Sequence, residues 1–349
     1  MTRFFKFGSG AALAALVLSA GAAMAEDSLT ITGGGGALQE SMRKAFFEPY
    51  AKETGTKITE DEYSYEIAKI RVMVESGAVT WDVVDVDGPT AVLGCAEGVL
   101  ETIDWAKLGL DRAKFVNDIS DCTVPNIVYG TVFAYDNSKL SPGPTTLADF
   151  FDLAKFPGKR GLWKSPVGAL EWALIADGVS REEVYKVLAT PEGQDRAFKK
   201  LDTIKSELVY WEAGAQAPQL LADGQVAMTM AWNGRIQAAI DNDKKPFTIV
   251  WDNQILDGDG WAIPKGAKNV DGAYKFISYA SQPQAMANQT NYIAYGPANK
   301  DAAPLLPENR KDVLPTSAAN LGTAFTMDQK FWSDYGDQLR ERFATWVAQ

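Results

Sequence analysis

Apolar and polar positions change their spacing several times along the chain. Leu29-Thr30-Ile31-Thr32 has the two-residue alternation of a strand. Gly33-Gly34-Gly35-Gly36 follows, and Leu38, Met42, Phe46 and Tyr50 then recur every four residues, the stripe of an amphipathic helix. Gly55 stands where that helix should stop. A second strand is expected at 57–59, a second helix at 65–76 with Ile67, Ile70 and Val74 inward, and a third strand at 81–86. Strand and helix in alternation predict an α/β fold built on a parallel sheet. Ligands of such sheets lie at the carboxyl ends of the strands, which singles out the loops at 33–36 and 87–90. The alternation resumes with strands at 159–163, 226–231 and 247–251, and helices at 169–176, 181–188, 194–207 and 235–241. No repeat or low-complexity linker intervenes, so two lobes would be joined by ordered crossing strands, expected at 132–135 and 260–264.

The first residues have a different pattern. Arg3 and Lys6 precede an uncharged run rich in Ala, Leu and Val, which ends at Ala23-Met24-Ala25. This order reads as a signal peptide over 1–25, cleaved at about Ala25 to release a soluble periplasmic protein. The run is shorter than the roughly 20 apolar residues that a membrane span needs. In an oxidising compartment Cys95 and Cys122 are expected to pair, since they are the two cysteines of the chain. Closing that loop would add roughly 3–4 kcal/mol of stability by chain entropy.

Composition removes whole classes of function. Hydrophobic residues make up 46% and charged residues 23%, as in ordinary globular proteins. Asp and Glu outnumber Lys and Arg by 45 to 34, and a net charge of -11 opposes binding to phosphate backbones. There is no histidine, which excludes Ser–His–Asp triads, Cys–His dyads and His-ligated zinc. No cofactor and no metal is expected. Two Asp-x-Asp-Gly runs, at 85–88 and 257–260, lack the acidic twelfth position of a calcium loop, where Ala96 and Lys268 stand. Gly33-x-Gly35 lacks the third glycine of a dinucleotide loop, since Leu38 occupies that place.

Several segments, taken in order, resemble a known family. They are Phe47-x-x-Tyr50-x-x-Glu53-Thr54-Gly55, Tyr129-Gly130-Thr131, Met230-Ala231-Trp232-Asn233-Gly234-Arg235, Asp259-Gly260-Trp261-Ala262-Ile263-Pro264 and Tyr295-Gly296-Pro297-Ala298-Asn299. The chain is similar to the periplasmic solute-binding proteins of ABC transporters, in particular the polyamine (spermidine/putrescine) type. The resemblance implies a type II two-lobed α/β fold, with two crossover strands forming the hinge. It places 26–134 with 257–305 in lobe I and 135–256 with 306–349 in lobe II. It implies binding without chemistry, a monomer, and a cognate ABC permease in the inner membrane as partner.

The ligand then depends on the charges in the cleft. Asp259 matches the acidic residue that precedes the Ala-Ile-Pro strand in polyamine binders, and Trp232 and Tyr295 match aromatic positions that favour cations. Arg235 departs from that pattern. A buried guanidinium needs an anionic partner, and its planar fork suits a carboxylate. One carboxylate and one ammonium on a single ligand would satisfy Arg235 and Asp259 together, as in the γ-aminobutyrate-binding members that this combination resembles. Putrescine or spermidine is the alternative. Gly34 and Gly35, whose backbone N–H groups lead into a helix, are candidate anion contacts. Asp87, Gln216 and Tyr129 complete the candidate set. Each has a blander role open to it: Arg235 could pair with Asp257 or Asp259 across the hinge, Asp259 could cap a turn, and Trp232 could be core. Iron held by Tyr292 and Tyr295, and a secreted carboxylate enzyme, are further alternatives.

Overall fold

The computed structural model describes residues 1–2 and 28–349, and the leader expected at 1–25 lies, beyond Thr2, outside them. The strands are β1 (Ser28–Gly33), β2 (Lys57–Glu62), β3 (Val83–Asp87), β4 (Thr123–Asp136), β5 (Arg160–Trp163), β6 (Leu208–Trp211), β7 (Met228–Trp232), β8 (Phe247–Ala262), β9 (Gly296–Pro297) and β10 (Phe325–Thr326). Their order is β2-β1-β3-β8-β4-β7-β5-β6, with β10 beside β8 and β9 beside β4. Both flanks are parallel, β1 with β2 and β3 on one side, β5 with β6 and β7 on the other. The centre is antiparallel, because β4 and β8 run between the flanks in opposite directions and pair along their length. Helices connect the flanking strands, so the architecture is a two-lobed α/β fold with two long shared strands. The segments 132–135 and 260–264 fall on β4 and at the end of β8. Both strands run further than their local sequence suggested, since β4 is buried throughout and has no polar alternation to mark its ends.

Each flank buries its own apolar core. Leu29, Ile31, Met42, Phe46, Trp261 and Phe276 cluster on the β1 side. Phe133, Phe150, Leu170, Trp172, Leu201 and Trp332 cluster on the β5 side. The stripe of Leu38, Met42, Phe46 and Tyr50 is buried as expected, and its helix ends at Gly55, which takes the left-handed φ of 75° that glycine accepts without strain. Trp232 packs against both cores. The C-terminal helix (Gln329–Ala348) lays Phe331, Trp332, Leu339, Phe343 and Trp346 on the β5 core. Cys95 and Cys122 are bonded, with Cα atoms 5.5 Å apart, and tie the Gly88–Ala96 helix to the start of β4.

Candidate functional site

A cavity of about 1050 Å³ opens between the lobes. Its walls include seven of the nine candidate ligand residues: Asp87, Tyr129, Gln216, Trp232, Arg235, Asp259 and Tyr295. Gly34 and Gly35 are not on the wall. They reach it through Arg235, whose Nη1 donates to the Gly35 carbonyl at 2.8 Å and Nη2 to that of Gly34 at 3.2 Å. Here the glycine loop offers carbonyls rather than N–H groups. Its helix, Gly36–Met42, is short, and Gly36 leaves room for the guanidinium, which a Cβ would approach to 2.7 Å.

One end of the cavity is acidic. In the antiparallel β3–β8 pair Asp87 stands opposite Asp259. The two-residue period of the strands puts Asp85, Asp87, Asp257 and Asp259 together. Thus the two Asp-x-Asp-Gly runs, which fail one by one as calcium loops, form a single cluster. Among the described residues no group of His, Cys, Asp or Glu is arranged to hold a metal ion. Tyr65 places its hydroxyl 3.0 Å from Asp85 Oδ2 and 3.2 Å from Asp259 Oδ2. Tyr129 donates to Asp257 Oδ2 at 3.1 Å, and Gln329 Nε2 donates to Asp257 Oδ1. Asp87 accepts from the Thr90 N–H at 3.0 Å, so it caps a helix as well as lining the cavity. Burial pushes the Asp85 and Asp257 carboxyls up to about 7. Burial, and then the charges of Asp85, Asp87 and Asp257, hold Asp259 well above the usual carboxylate range. These groups lack the positive charge that would keep them ionised.

The other end is basic and aromatic. Arg235 is buried at 4% exposure, and its Nε has no hydrogen-bond partner. Both of its Nη nitrogens donate to carbonyls, so the pairing with Asp257 or Asp259 that its sequence position allowed is not the arrangement here. The side chain starts from the Asn233–Asp243 helix, on the β7 side, and ends on the loop after β1, on the other. Asn233 fixes that helix by accepting from Gly130 N–H at 2.9 Å and donating to Ala294 O at 2.6 Å. Between the two ends lies an aromatic wall. Trp232 meets Trp163 and Trp211 edge to face, with centroids 5.5 and 5.4 Å apart, and Tyr129 packs on both Trp232 and Tyr295. Gln216 accepts two N–H groups, from Glu212 and Ala213, through its Oε1, which makes it a loop brace on the cavity wall.

The expectations missed Tyr65, Asp85 and Trp163. The shared spacing of the two Asp-x-Asp-Gly runs was a usable signal for Asp85, since matched runs on paired strands bring like residues together. Tyr65, expected to open the helix at 65–76, instead lies in the loop before Ile67–Glu75 with a left-handed φ of 60°, a backbone turn that apolar spacing does not reveal.

Two lobes around a charged cleft, with an acid end, a basic end and aromatic walls, define a receptor for a small solute. The chain belongs to the bacterial extracellular solute-binding protein family, whose pattern it matches over residues 45–316; family membership makes it a binding protein rather than an enzyme. It is 45% identical to the gamma-aminobutyric acid-binding protein of Pseudomonas aeruginosa, over 96% of this chain and 95% of that one. It is 24% identical to spermidine/putrescine-binding periplasmic protein 1 of Haemophilus influenzae, over 86% and 84% of the two chains. Among solved structures it is similar to the binding protein MotA from A. tumefaciens B6 in complex with glucopine, with a TM-score of 0.86, 34% identity and coverage of 92% of this chain and 99% of that one. It is likewise similar to a GABA receptor, with a TM-score of 0.82, 35% identity and coverage of 93% and 98%.

Proposed function

We propose that this protein is the periplasmic substrate-binding component of an ABC importer and that its ligand is γ-aminobutyrate or a close zwitterionic amino acid. The ammonium goes to the Asp85–Asp259 end, and the carboxylate to Arg235. The carrying observation is the unpartnered, buried Nε of Arg235 on the same cavity as Asp87, Asp257 and Asp259, with Asp85 beside them, none of which is ion-paired among the described residues. A buried donor without an acceptor is costly, and a ligand carboxylate supplies one. The name of the 45% identical relative agrees with this choice.

Recognition is tied to closure in this reading. Lobe I is taken as 26–134 with 257–305, and lobe II as 135–256 with 306–349. Arg235 crosses from the second to the first, so a ligand held by Arg235 and Asp259 bridges both and shifts the population toward the closed form. A monomer in that form is then recognised by an inner-membrane permease. A polyamine receptor is the second reading. Four clustered carboxylates favour it, but Arg235 would repel a second ammonium.

Thermal unfolding of ligand-stripped protein with γ-aminobutyrate, putrescine and spermidine tests the choice. A ligand at 100 times its dissociation constant adds roughly 2.7 kcal/mol to the native state. A shift of several degrees with γ-aminobutyrate alone is expected. A shift with the diamines alone overturns the assignment.

A further inference from the structure

The Asp85 and Asp259 carboxyls converge on one phenol, since Tyr65 Oη lies within hydrogen-bond distance of an Oδ2 of each. An ionised carboxylate only accepts, and two of them buried around one donor repel each other, which a proton on one of the two relieves. Tyr65 lies over the pair, and its single phenol proton cannot fully serve both Oδ2 atoms at 3.0 and 3.2 Å. The tyrosine is held there against its preference. Its φ of 60° is in the left-handed region, uncommon for a bulky residue. Thr90 Oγ1 donates to its carbonyl at 3.0 Å, and its ring fills the space that a Cβ on Gly34 would enter, at 2.4 Å.

The surroundings of the pair supply little positive charge. Asp87 faces it from β3 and Asp257 from β8. Tyr63, from the end of β2, gives its hydroxyl to the Asp85 backbone carbonyl. From β4, Asn126 donates to Asp85 Oδ1 at 3.4 Å and Tyr129 is turned to Asp257. Tyr295, ahead of β9, lies beside Arg235. Two guanidiniums are near, and among the described residues neither pairs with Asp85 or Asp259. Arg235 is bonded to the Gly34 and Gly35 carbonyls, and Arg340, on the C-terminal helix, to Asp337. A proton is what keeps two such carboxyls together in the absence of a cation.

We propose that the ligand's ammonium enters the acid end in exchange for the proton shared by Asp85 and Asp259, so that uptake releases about one proton, with Tyr65 positioning the pair for the exchange. The proposal rests on the ammonium assignment made above. The incoming ammonium keeps its protons, one carboxyl O–H bond breaks, and that proton leaves to water, so the charge of the site is unchanged. Burial pushes Asp85 up to about 7, which puts the exchange near neutral pH. Because the proton is present in the free protein and absent from the complex, affinity rises with pH below this range and levels off above it.

Calorimetric titration of the mature protein with γ-aminobutyrate, in two buffers of different ionisation enthalpy at each pH, reads the exchange. The expected result is release of about one proton near pH 6, fading toward pH 8.5, and a dissociation constant that improves by up to about tenfold per pH unit before it levels. Asp85→Asn, which replaces the shared proton by a fixed donor, should abolish the release and flatten the profile. Tyr65→Phe should move the profile to higher pH, since a hydrogen bond to the charged form is lost; a merely structural tyrosine would weaken binding equally at every pH. Buffer-independent heats in the wild type, or proton release that survives in Asp85→Asn, overturns the proposal. If γ-aminobutyrate gives no heat, the ligand assignment has failed, and carboxyl carbon NMR of the ligand-free protein still decides. Two coupled carboxyls titrating near neutral support the shared proton, and titration of every aspartate below about pH 5 overturns it.

Discussion

The two ends of the cleft handle buried charge in opposite ways. At the acid end four aspartates from one strand pair face one another, and their partners are tyrosine hydroxyls and amides, not cations. At the basic end a single guanidinium is held by carbonyls of the loop after β1, and its Nε has no partner. The acid end is therefore incomplete in itself, while the basic end leaves one nitrogen without a partner and depends on the lobes being together. Arg160 shows what a finished site looks like. It is fully buried, and its nitrogens donate to the carbonyls of Phe150, Asp152, Phe156 and Gly158. The two arginines differ in how fully the backbone satisfies them. A guanidinium with all three nitrogens engaged builds structure, and one with a bare nitrogen at a cavity is available to a ligand.

The largest break in this comparison should come from the acid end. Asp259→Asn should weaken γ-aminobutyrate binding by about two to three orders of magnitude, since truncating one partner of a buried charge pair costs roughly 2–5 kcal/mol; calorimetry with a retained melting transition checks it. Arg235→Ala comes next. It should lose about a hundredfold for γ-aminobutyrate, yet lose nothing for putrescine, because the repelling charge goes with it. Equal losses for both ligands would make Arg235 a lobe fastener only. Trp232→Ala should cost about tenfold, the scale of a desolvated cation–π contact of about 1–2 kcal/mol, measurable by fluorescence titration. Cys95→Ser should leave the dissociation constant unchanged while lowering stability by roughly 3–4 kcal/mol, read by denaturant unfolding. A change in affinity there would mean that the disulfide sets the acid end.

Much of the molecule was legible in the chain. The glycine-to-helix stripe, the α/β alternation and the Cys95–Cys122 pairing all follow from local patterns that persist in the fold. The antiparallel centre did not, because a strand buried on both faces carries no alternation to show where it ends or which neighbour it takes.

The site divides in the same way. The family resemblance singled out Asp259, Trp232 and Tyr295, residue chemistry and position added Arg235, Tyr129, Asp87 and Gln216, and all seven line one cavity. Tertiary structure decided how they work. It set Asp87 opposite Asp259, slid Tyr65 over the bare Cα of Gly34, and turned Arg235 onto the carbonyls of a loop some 200 residues away. Those choices depend on strand register, a left-handed tyrosine and the meeting of two lobes. A sequence states which groups are available, and the register and packing of distant segments determine which of them are left without a partner.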